Sequence, residues 1–291
     1  MKIKKAVIAA AGFGTRVLPA SKTVPKEMLN VVDRPAIHYI VEEILDGGIE
    51  EILIVLSRGK TVIEDYFDRS LELESALLEK NQKEKYDDIL KISNMGKIYY
   101  VRQKVVDGLG GAILCAESFV EKEPFYVAYA DDLIYSKKSV CRQLCSVYEE
   151  FNVGVLGVKE VSLKKIGRYS SVGLKKIRDR VFSVFDVVEK PKKDEILSKY
   201  SIFGRCILPY KIFSILKQIQ KGKGLELQLT DAMKILIKQE GMVAVDYEGK
   251  HYDMGNKVGV LKANVEYALL NEEVREEFST YLKELMKEYI I

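Results

Sequence analysis

Four groups of residues in this chain combine glycines, cations and carboxylates in ways that could act on a phosphorylated ligand. The first is Ala9-Ala10-Ala11-Gly12-Phe13-Gly14-Thr15-Arg16, which follows an apolar run. Glycines beyond a strand let backbone N–H groups approach phosphate oxygens or the edge of a base. Arg16 follows the turn directly, with Lys22 and Lys26 close behind. A triphosphate carries about four negative charges, and phosphoryl chemistry depends on cations placed against them. The segment is neither of the common phosphate loops. The dinucleotide fingerprint needs a glycine where Val17 stands, and Gly59-Lys60-Thr61 lacks the Walker glycine because Ile54 takes its place.

The second group is Asp131-Asp132, at the end of the apolar run from Phe125 to Ala130. The third is Asp253, far away in sequence and followed by Met254-Gly255. A lone aspartate at a strand end is more often a cap or a turn residue. Mg²⁺, however, takes few protein carboxylates and completes its shell with phosphate oxygens and waters, which suits two aspartates from separate segments. Adjacent strand residues point to opposite faces, so Asp131 and Asp132 are expected to divide roles. One serves the site; the other is a cap or an acceptor behind it. The fourth group is Glu189-Lys190-Pro191. Pro191 drives Lys190 toward extended backbone, which would project its ammonium from a strand end. By themselves these three residues also describe an edge-strand salt pair ended by proline.

Such groups need a frame. Apolar runs at 5–10, 51–56, 98–102, 125–130 and 153–158 alternate with amphipathic stretches at 35–47 and 112–119. The alternation predicts an α/β fold with a doubly wound, mostly parallel, Rossmann-like sheet. Ligands of such sheets bind beyond the carboxyl ends of strands, where the glycine turn and Asp131 fall. Residues 68–95 are charge-rich with leucines at helical spacing, an inserted helical excursion. Shorter β-like runs at 170–174, 181–188 and 202–208 predict a small antiparallel extension beside the main sheet. C-terminal helices are expected at 210–220, 230–240, 257–270 and 272–288. The last carries the apolar stripe Phe278, Tyr281, Leu282, Leu285 and Met286, which docks on its own domain or on another subunit. Thr230-Asp231 reads as a helix start with no chemistry assigned.

Bulk properties remove several function classes. With 291 residues, 47% of them hydrophobic, the chain can build one large core or two small ones. Lys and Arg number 46 against 43 Asp and Glu, so the basic excess of a nucleic-acid binder is missing. The four cysteines include no C-x-x-C pair, which argues against a zinc knuckle and fits a reducing compartment. No apolar run approaches the ~20 residues of a membrane span, and the run at 6–11 is too short for a signal-peptide core. The only histidines are His38, expected to pack within the first helix, and His251. That scarcity fits attack by a phosphate anion, which needs no general base, better than Ser-His-Asp hydrolysis.

The glycine turn through Leu18-Pro19, then Pro25-Lys26-Glu27-Met28-Leu29 and Val32-Asp33-Arg34-Pro35, resembles the signature of bacterial UTP–glucose-1-phosphate uridylyltransferases. Further blocks follow in that family's order, among them Val101-Arg102-Gln103, Gly108-Leu109-Gly110, Ala130-Asp131-Asp132-Leu133 and Val188-Glu189-Lys190-Pro191. Gly204-Arg205, Glu226 to Ala232 and Tyr252 to Lys257 complete the series. The resemblance implies Mg²⁺-assisted, in-line transfer of a uridylyl group from UTP to glucose 1-phosphate. It implies one domain over 1–291, with a nucleotide-binding core at 1–160, a sugar-binding part at 161–256 and C-terminal helices at 257–291.

It also implies roles. Ala10, Ala11, Gly12, Gly14, Thr15, Glu27, Gln103 and Gly108 bind the nucleotide. The Gln103 amide offers donor and acceptor to a pyrimidine edge, and Glu27 points to uracil because related thymidylyltransferases carry glutamine there. Asp131 and Asp253 hold the metal. Arg16 and Lys26 stabilise departing pyrophosphate. Asp132, Gly173, Glu189, Lys190 and Gly204 bind the sugar phosphate, with Glu189 accepting from glucose hydroxyls and Lys190 gripping the phosphate. A cytoplasmic homo-oligomer, dimer or tetramer, is implied, with no nucleic-acid or membrane partner.

The chain departs from the family pattern at Gly111 for histidine, Cys206 for tyrosine and Ser170 for a glycine beside the sugar. A register shift to Gly173 is the alternative at the last. The rival readings are a thymidylyltransferase or other hexose-1-phosphate nucleotidyltransferase, and a non-catalytic regulatory paralogue that binds sugar nucleotides. Intact Arg16, Lys26, Asp131, Lys190 and Asp253 speak against the second.

Overall fold

A computed structural model describes residues 2–222 and 225–289. The strands are β1 (Lys5–Ala9), β2 (Asn30–Val31), β3 (Arg34–Pro35), β4 (Glu51–Leu56), β5 (Lys97–Arg102), β6 (Phe125–Tyr129) and β7 (Asp132–Tyr135). They continue with β8 (Gly154–Glu160), β9 (Ser170–Arg178), β10 (Val181–Glu189), β11 (Tyr200–Leu208), β12 (Met242–Asp246) and β13 (Lys250–Asp253). The helices are α1 (Ala36–Asp46), α2 (Thr61–Phe67), α3 (Leu71–Glu79), α4 (Lys83–Ser93), α5 (Leu109–Leu114) and α6 (Glu117–Val120). After them come α7 (Val140–Phe151), α8 (Ile212–Leu216), α9 (Leu229–Glu240), α10 (Lys257–Leu270) and α11 (Arg275–Tyr289).

Nine strands form one mixed sheet in the order β5-β4-β1-β6-β11-β8-β12-β10-β9. The half from β5 to β6 is parallel, as the βαβ pattern predicts. Alternation along β1 sends Ala6 and Ile8 to one hydrophobic layer and Val7 to the other. The first layer packs Ile37, Ile40 and Ile44 of α1 and Leu144 of α7; the second packs Ile113 of α5, Phe213 of α8 and Leu236 of α9. Both faces are thus covered, the condition for a parallel sheet.

The antiparallel part is placed differently from expectation in one respect. β9 and β10 form a hairpin at one edge, but β11 runs antiparallel between β6 and β8 in the middle of the sheet. Its composition explains this: Ile202, Phe203, Cys206, Ile207 and Leu208 are all buried, so it needs cover on both faces. Residues 68–95 do form a helical excursion, α3 and α4, and α9 and α10 fall where expected. The expected helix at 210–220 is only the short α8. Helix α11 buries none of its residues, and its stripe is half exposed, with Tyr281 at 53% and Met286 at 55%. Strands β7 and β13 were not legible in the sequence. They pair antiparallel in a separate ribbon that puts Asp253 opposite Asp132.

One buried ion pair ties the central strand to the first helix. Arg205 of β11 is fully buried, and its guanidinium donates to the Glu43 carboxylate of α1 at 2.7–3.1 Å. Tyr126 donates to the same carboxylate at 2.8 Å, and Arg205 donates to the Gly204 carbonyl at 3.1 Å. Burial opposes the charge on Arg205, but Glu43 more than restores it and raises its pKa. Removing one partner of such a pair strands the other charge and costs about 3–5 kcal/mol. Glu43→Ala is therefore expected to lower unfolding stability by about that amount in urea titrations, and Glu43→Ala/Arg205→Met to recover much of the loss.

Candidate active site

A cavity of about 1270 Å³ opens beyond the carboxyl ends of β1 and β6. Thr15 and Arg16 line it from the glycine turn, Asp131 and Asp132 from the end of β6, Glu189 and Lys190 from the end of β10, and Asp253 from the end of β13. The parallel half of the sheet and the β7–β13 ribbon thus deliver the predicted charged groups to one place.

Its floor is a knot of opposite charges. Arg16 spans the Asp253 carboxylate, Nη1 to Oδ2 at 3.1 Å and Nη2 to Oδ1 at 3.3 Å, and reaches Asp131 at 3.7 Å. Lys26 donates to Asp131 Oδ2 at 2.5 Å. Burial alone would raise the pKa of Asp131, but Lys26 and Arg16 hold it below the usual carboxylate range. Burial alone would lower that of Lys26, but Asp131 and Glu27 push it up. The two aspartates converge closely. A methyl group built on Gly255 would lie 2.8 Å from Asp253 Oδ1 and 3.0 Å from Asp131 Oδ2. Backbone bonds fix this approach: Met254 N–H donates to the Asp131 carbonyl and Gly255 N–H to Asp253 Oδ1, each at 2.8 Å.

Among the described residues, no group of three or more Asp, Glu, His or Cys side chains is placed to hold a metal ion. Asp131 and Asp253 nevertheless face each other across the Arg16 guanidinium, whose Nη2 lies 3.3 Å from Asp253 Oδ1 and 3.7 Å from Asp131 Oδ2, and a pair of carboxylates suits Mg²⁺, which draws its other ligands from phosphate and water.

Asp132 behaves differently from the alternation argument. Asp131 lies in the turn between β6 and β7, so strand alternation does not separate the pair, and both line the cavity. No helix follows for Asp132 to cap. It instead pairs with His251 Nε2, brought alongside by the β7–β13 register. His251 also packs its ring on Phe203, with centroids 4.5 Å apart. Gly204 does not line the cavity. It lies behind Asp132 with φ of 64°, where a Cβ would strike that side chain, so glycine is what lets the two backbones approach.

Three further expectations are corrected. Glu27 does not face the cavity: it is fully buried, and Lys60 Nζ donates to both its oxygens at 2.9 Å. The same ammonium donates to the carbonyls of Ala10 at 2.5 Å and Gly12 at 2.7 Å. Burial raises the pKa of Glu27 and lowers that of Lys60. The pair therefore acts on the glycine turn from behind. Gly173 lies within β9 against Phe185, away from the cavity, whereas Ser170 lines it. The Ser170 hydroxyl is held at 3.1 Å by Ser201 Oγ and accepts from Ile202 N–H at 3.1 Å. Lys190 is not extended: its φ is 43°, a strained value for a non-glycine residue, because its N–H turns back to the Tyr169 carbonyl at 2.8 Å. Its ammonium, with a half-exposed side chain, stands 4.0 Å from Glu189.

Of the residues expected to bind the nucleotide, Ala10, Ala11 and Gln103 are buried, Gly12, Gly14 and Gly108 are partly exposed, and none of these lines the cavity. Gln103 Nε2 donates to Asp107 at 3.0 Å and to the Gly108 carbonyl at 3.2 Å. Lys22 is exposed and takes no part in the cavity wall, and His38 packs in α1 against the Tyr66 hydroxyl at 2.9 Å. Sequence reasoning missed Lys60, Tyr169, Arg168 and Lys262. The last three line the cavity; Arg168 and Tyr169 immediately precede the segment where Ser170 replaces the family's sugar-side glycine, whereas nothing in the sequence marks Lys262.

The chain belongs to the nucleotidyl transferase family, whose model matches residues 5–269. It is 45% identical to the UTP–glucose-1-phosphate uridylyltransferase YngB of Bacillus subtilis, over 98% of this chain and 96% of that one. Among solved structures it is similar to a UDP-glucose pyrophosphorylase complexed with UDP-glucose, with a TM-score of 0.84 and 39% identity, covering 92% of this chain and 100% of that one. It is also similar to the UTP-bound enzyme of Acinetobacter baumannii, with a TM-score of 0.87 and 36% identity, covering 97% and 99% of the two chains.

The charge knot has a titration signature. Because Asp131 is depressed below its ordinary 3.8, its pairing stabilises the fold above that pH and is lost as the pH falls through the lower folded value. In Lys26→Met the effect of burial prevails, so Asp131 is expected to titrate above its ordinary value. Carboxyl ¹³C NMR across a pH series reads this; an unshifted Asp131 resonance would remove Lys26 as its partner.

Proposed function

We infer that the protein transfers a uridylyl group from UTP to glucose 1-phosphate, releasing pyrophosphate. The observation that carries this reading is the placement of Arg16, Asp131 and Asp253 on one cavity floor, with Lys26 bonded to Asp131 behind it and Glu189 and Lys190 on the wall. The near full-length similarity to uridylyltransferases supports the choice of substrates.

In this reading the glycine turn and Thr15 receive the triphosphate, and Lys60 with Glu27 holds that turn in shape from behind. Gln103 and Gly108 meet the uracil edge. Asp131 and Asp253 hold a Mg²⁺ ion, which when bound neutralises phosphate charge at the reacting centre. Arg16 and Lys26 stabilise charge that moves onto departing pyrophosphate. Lys190 orients the sugar phosphate for in-line attack on the α-phosphorus, and Glu189 accepts from glucose hydroxyls. Catalysis is then positioning plus electrostatics, as phosphoryl-type transfers require. Residues 1–160 serve as the nucleotide-binding core and 161–256 as the sugar-binding part. The half-exposed stripe of α11 supports a homo-oligomer, and the enzyme works in the cytoplasm.

The direct test is pyrophosphate release across a matrix of nucleoside triphosphates and sugar 1-phosphates. UTP with glucose 1-phosphate is expected to give the highest kcat/KM, and EDTA to abolish turnover. A clear preference for dTTP, or full activity in EDTA, contradicts the reading. Lys190→Ala removes a charge-assisted contact to the nucleophile, an effect of about 2–4 kcal/mol. It is expected to lower kcat/KM for glucose 1-phosphate about 30- to 1,000-fold, at ~1.4 kcal/mol per decade, with UTP affinity little changed. Wild-type kinetics would return Lys190 to the role of a simple surface salt pair.

A further inference from the structure

The loop between β5 and α5 holds one side-chain amide in a single orientation. Gln103 is only 4% exposed, and its backbone N–H donates to the Leu56 carbonyl at 2.8 Å. An amide nitrogen carries two hydrogens, and Nε2 has two partners, Asp107 Oδ1 at 3.0 Å and the Gly108 carbonyl at 3.2 Å. Both partners are acceptors, so the nitrogen must face them and its two donors are used. What remains of the amide is Oε1, which has no donor among the described residues and is not sealed from solvent. Leu109, next after Gly108, lines the cavity, so this loop stands at the cavity's margin.

Asp107 is itself held in place. Its carbonyl accepts from Leu227 N–H at 2.6 Å, and its Oδ2 pairs with Lys221 at 2.9 Å. Burial would raise its pKa, but Lys221 and Gln103 hold it below the usual carboxylate range, so the group stays ionised and can only accept. Gly111 makes the room. A Cβ there would strike Asp107 Oδ1 and lie 2.9 Å from Gln103 Nε2. The departure from the family's histidine at 111 and the inward carboxylate of Asp107 therefore belong together, because Asp107 fills the space that a side chain at 111 would need.

We propose that Asp107 is a positioning residue for base selection: by engaging Nε2 it leaves the Gln103 amide able only to accept, so the base must supply a ring N–H. This rests on the assignment of Gln103 to the base. Uracil carries that donor at N3, whereas cytosine presents a lone pair there. Two acceptors that face each other leave both unmet, and sites built on such a hydrogen bond discriminate strongly. Thymine has the same N3–H, so the contact separates uracil from cytosine and does not sense a methyl group at C5.

The test uses the full-length enzyme with glucose 1-phosphate, UTP and CTP, in wild type and Asp107→Ala. Wild type is expected to favour UTP over CTP in kcat/KM by about 100-fold or more. Asp107→Ala frees the amide to turn over and is expected to shrink that ratio about tenfold or more, with KM for glucose 1-phosphate unchanged. A second readout needs no turnover. In ¹⁵N NMR of the free enzyme, the Gln103 side-chain NH₂ protons are expected to be protected from solvent exchange in wild type and to lose protection in Asp107→Ala. A UTP-to-CTP ratio that Asp107→Ala leaves unchanged, an equal loss for both nucleotides, or unaltered amide protection overturns the proposal while leaving the uridylyltransferase reading intact. No turnover of any nucleotide with any sugar 1-phosphate by wild type overturns that reading, and this inference with it.

Discussion

Asp131 and Asp253 bring two negative charges to one guanidinium, 3.7 and 3.3 Å from Arg16 Nη2, and much of the surrounding structure makes that approach tolerable. Like charges this close repel by several kcal/mol in a partly desolvated cleft unless cations answer them. Arg16 and Lys26 do so, and both come from the segment that follows β1. The carboxylates come from β6 and from the β7–β13 ribbon. The knot therefore joins the first strand's loop to two distant parts of the chain. In the proposed function these four charges would exchange partners when a polyanion and a divalent cation arrive together.

Two buried ion pairs stand behind this floor, and each acts on backbone rather than on ligand. Lys60 spends three of its contacts on Glu27, Ala10 and Gly12, so the carbonyls of the glycine turn point inward toward an ammonium. That orientation leaves the turn's N–H groups as its outward polar face, the arrangement an anion requires. Arg205 and Glu43 do the equivalent under Gly204, whose left-handed backbone lets Asp132 close in. Buried pairs of this kind add little net stability over apolar replacements. Their value here is orientational, because each fixes a carbonyl or carboxylate that the cavity wall depends on.

Residue type and local spacing carried much of the site in the sequence. The glycine turn, Arg16, Asp131 and Lys190 follow strand ends that hydrophobic alternation locates, whereas Lys26 and Asp253 were singled out with the help of the family resemblance. What stayed hidden has physical causes. Strands β7 and β13 are four residues each, too short for a period of apolar residues to mark them. Lys60 sits in a motif that fails as a phosphate loop, and nothing nearby announces its buried partner Glu27. The proline after Lys190 suggested extended backbone, but a tertiary bond to Tyr169 overrode that preference.

The exchange of partners at the knot is the central claim, and calorimetry of UTP binding reads it without relying on turnover. In EDTA, Arg16 and Lys26 stay engaged with Asp253 and Asp131, and an incoming triphosphate must compete with both carboxylates. If Asp131 and Asp253 hold Mg²⁺ as proposed, those carboxylates would have another cation and the two side chains would be available to the phosphates. UTP affinity is expected to rise about tenfold or more when Mg²⁺ replaces EDTA, a difference of at least ~1.4 kcal/mol. UTP that binds as tightly in EDTA as in Mg²⁺ would contradict it.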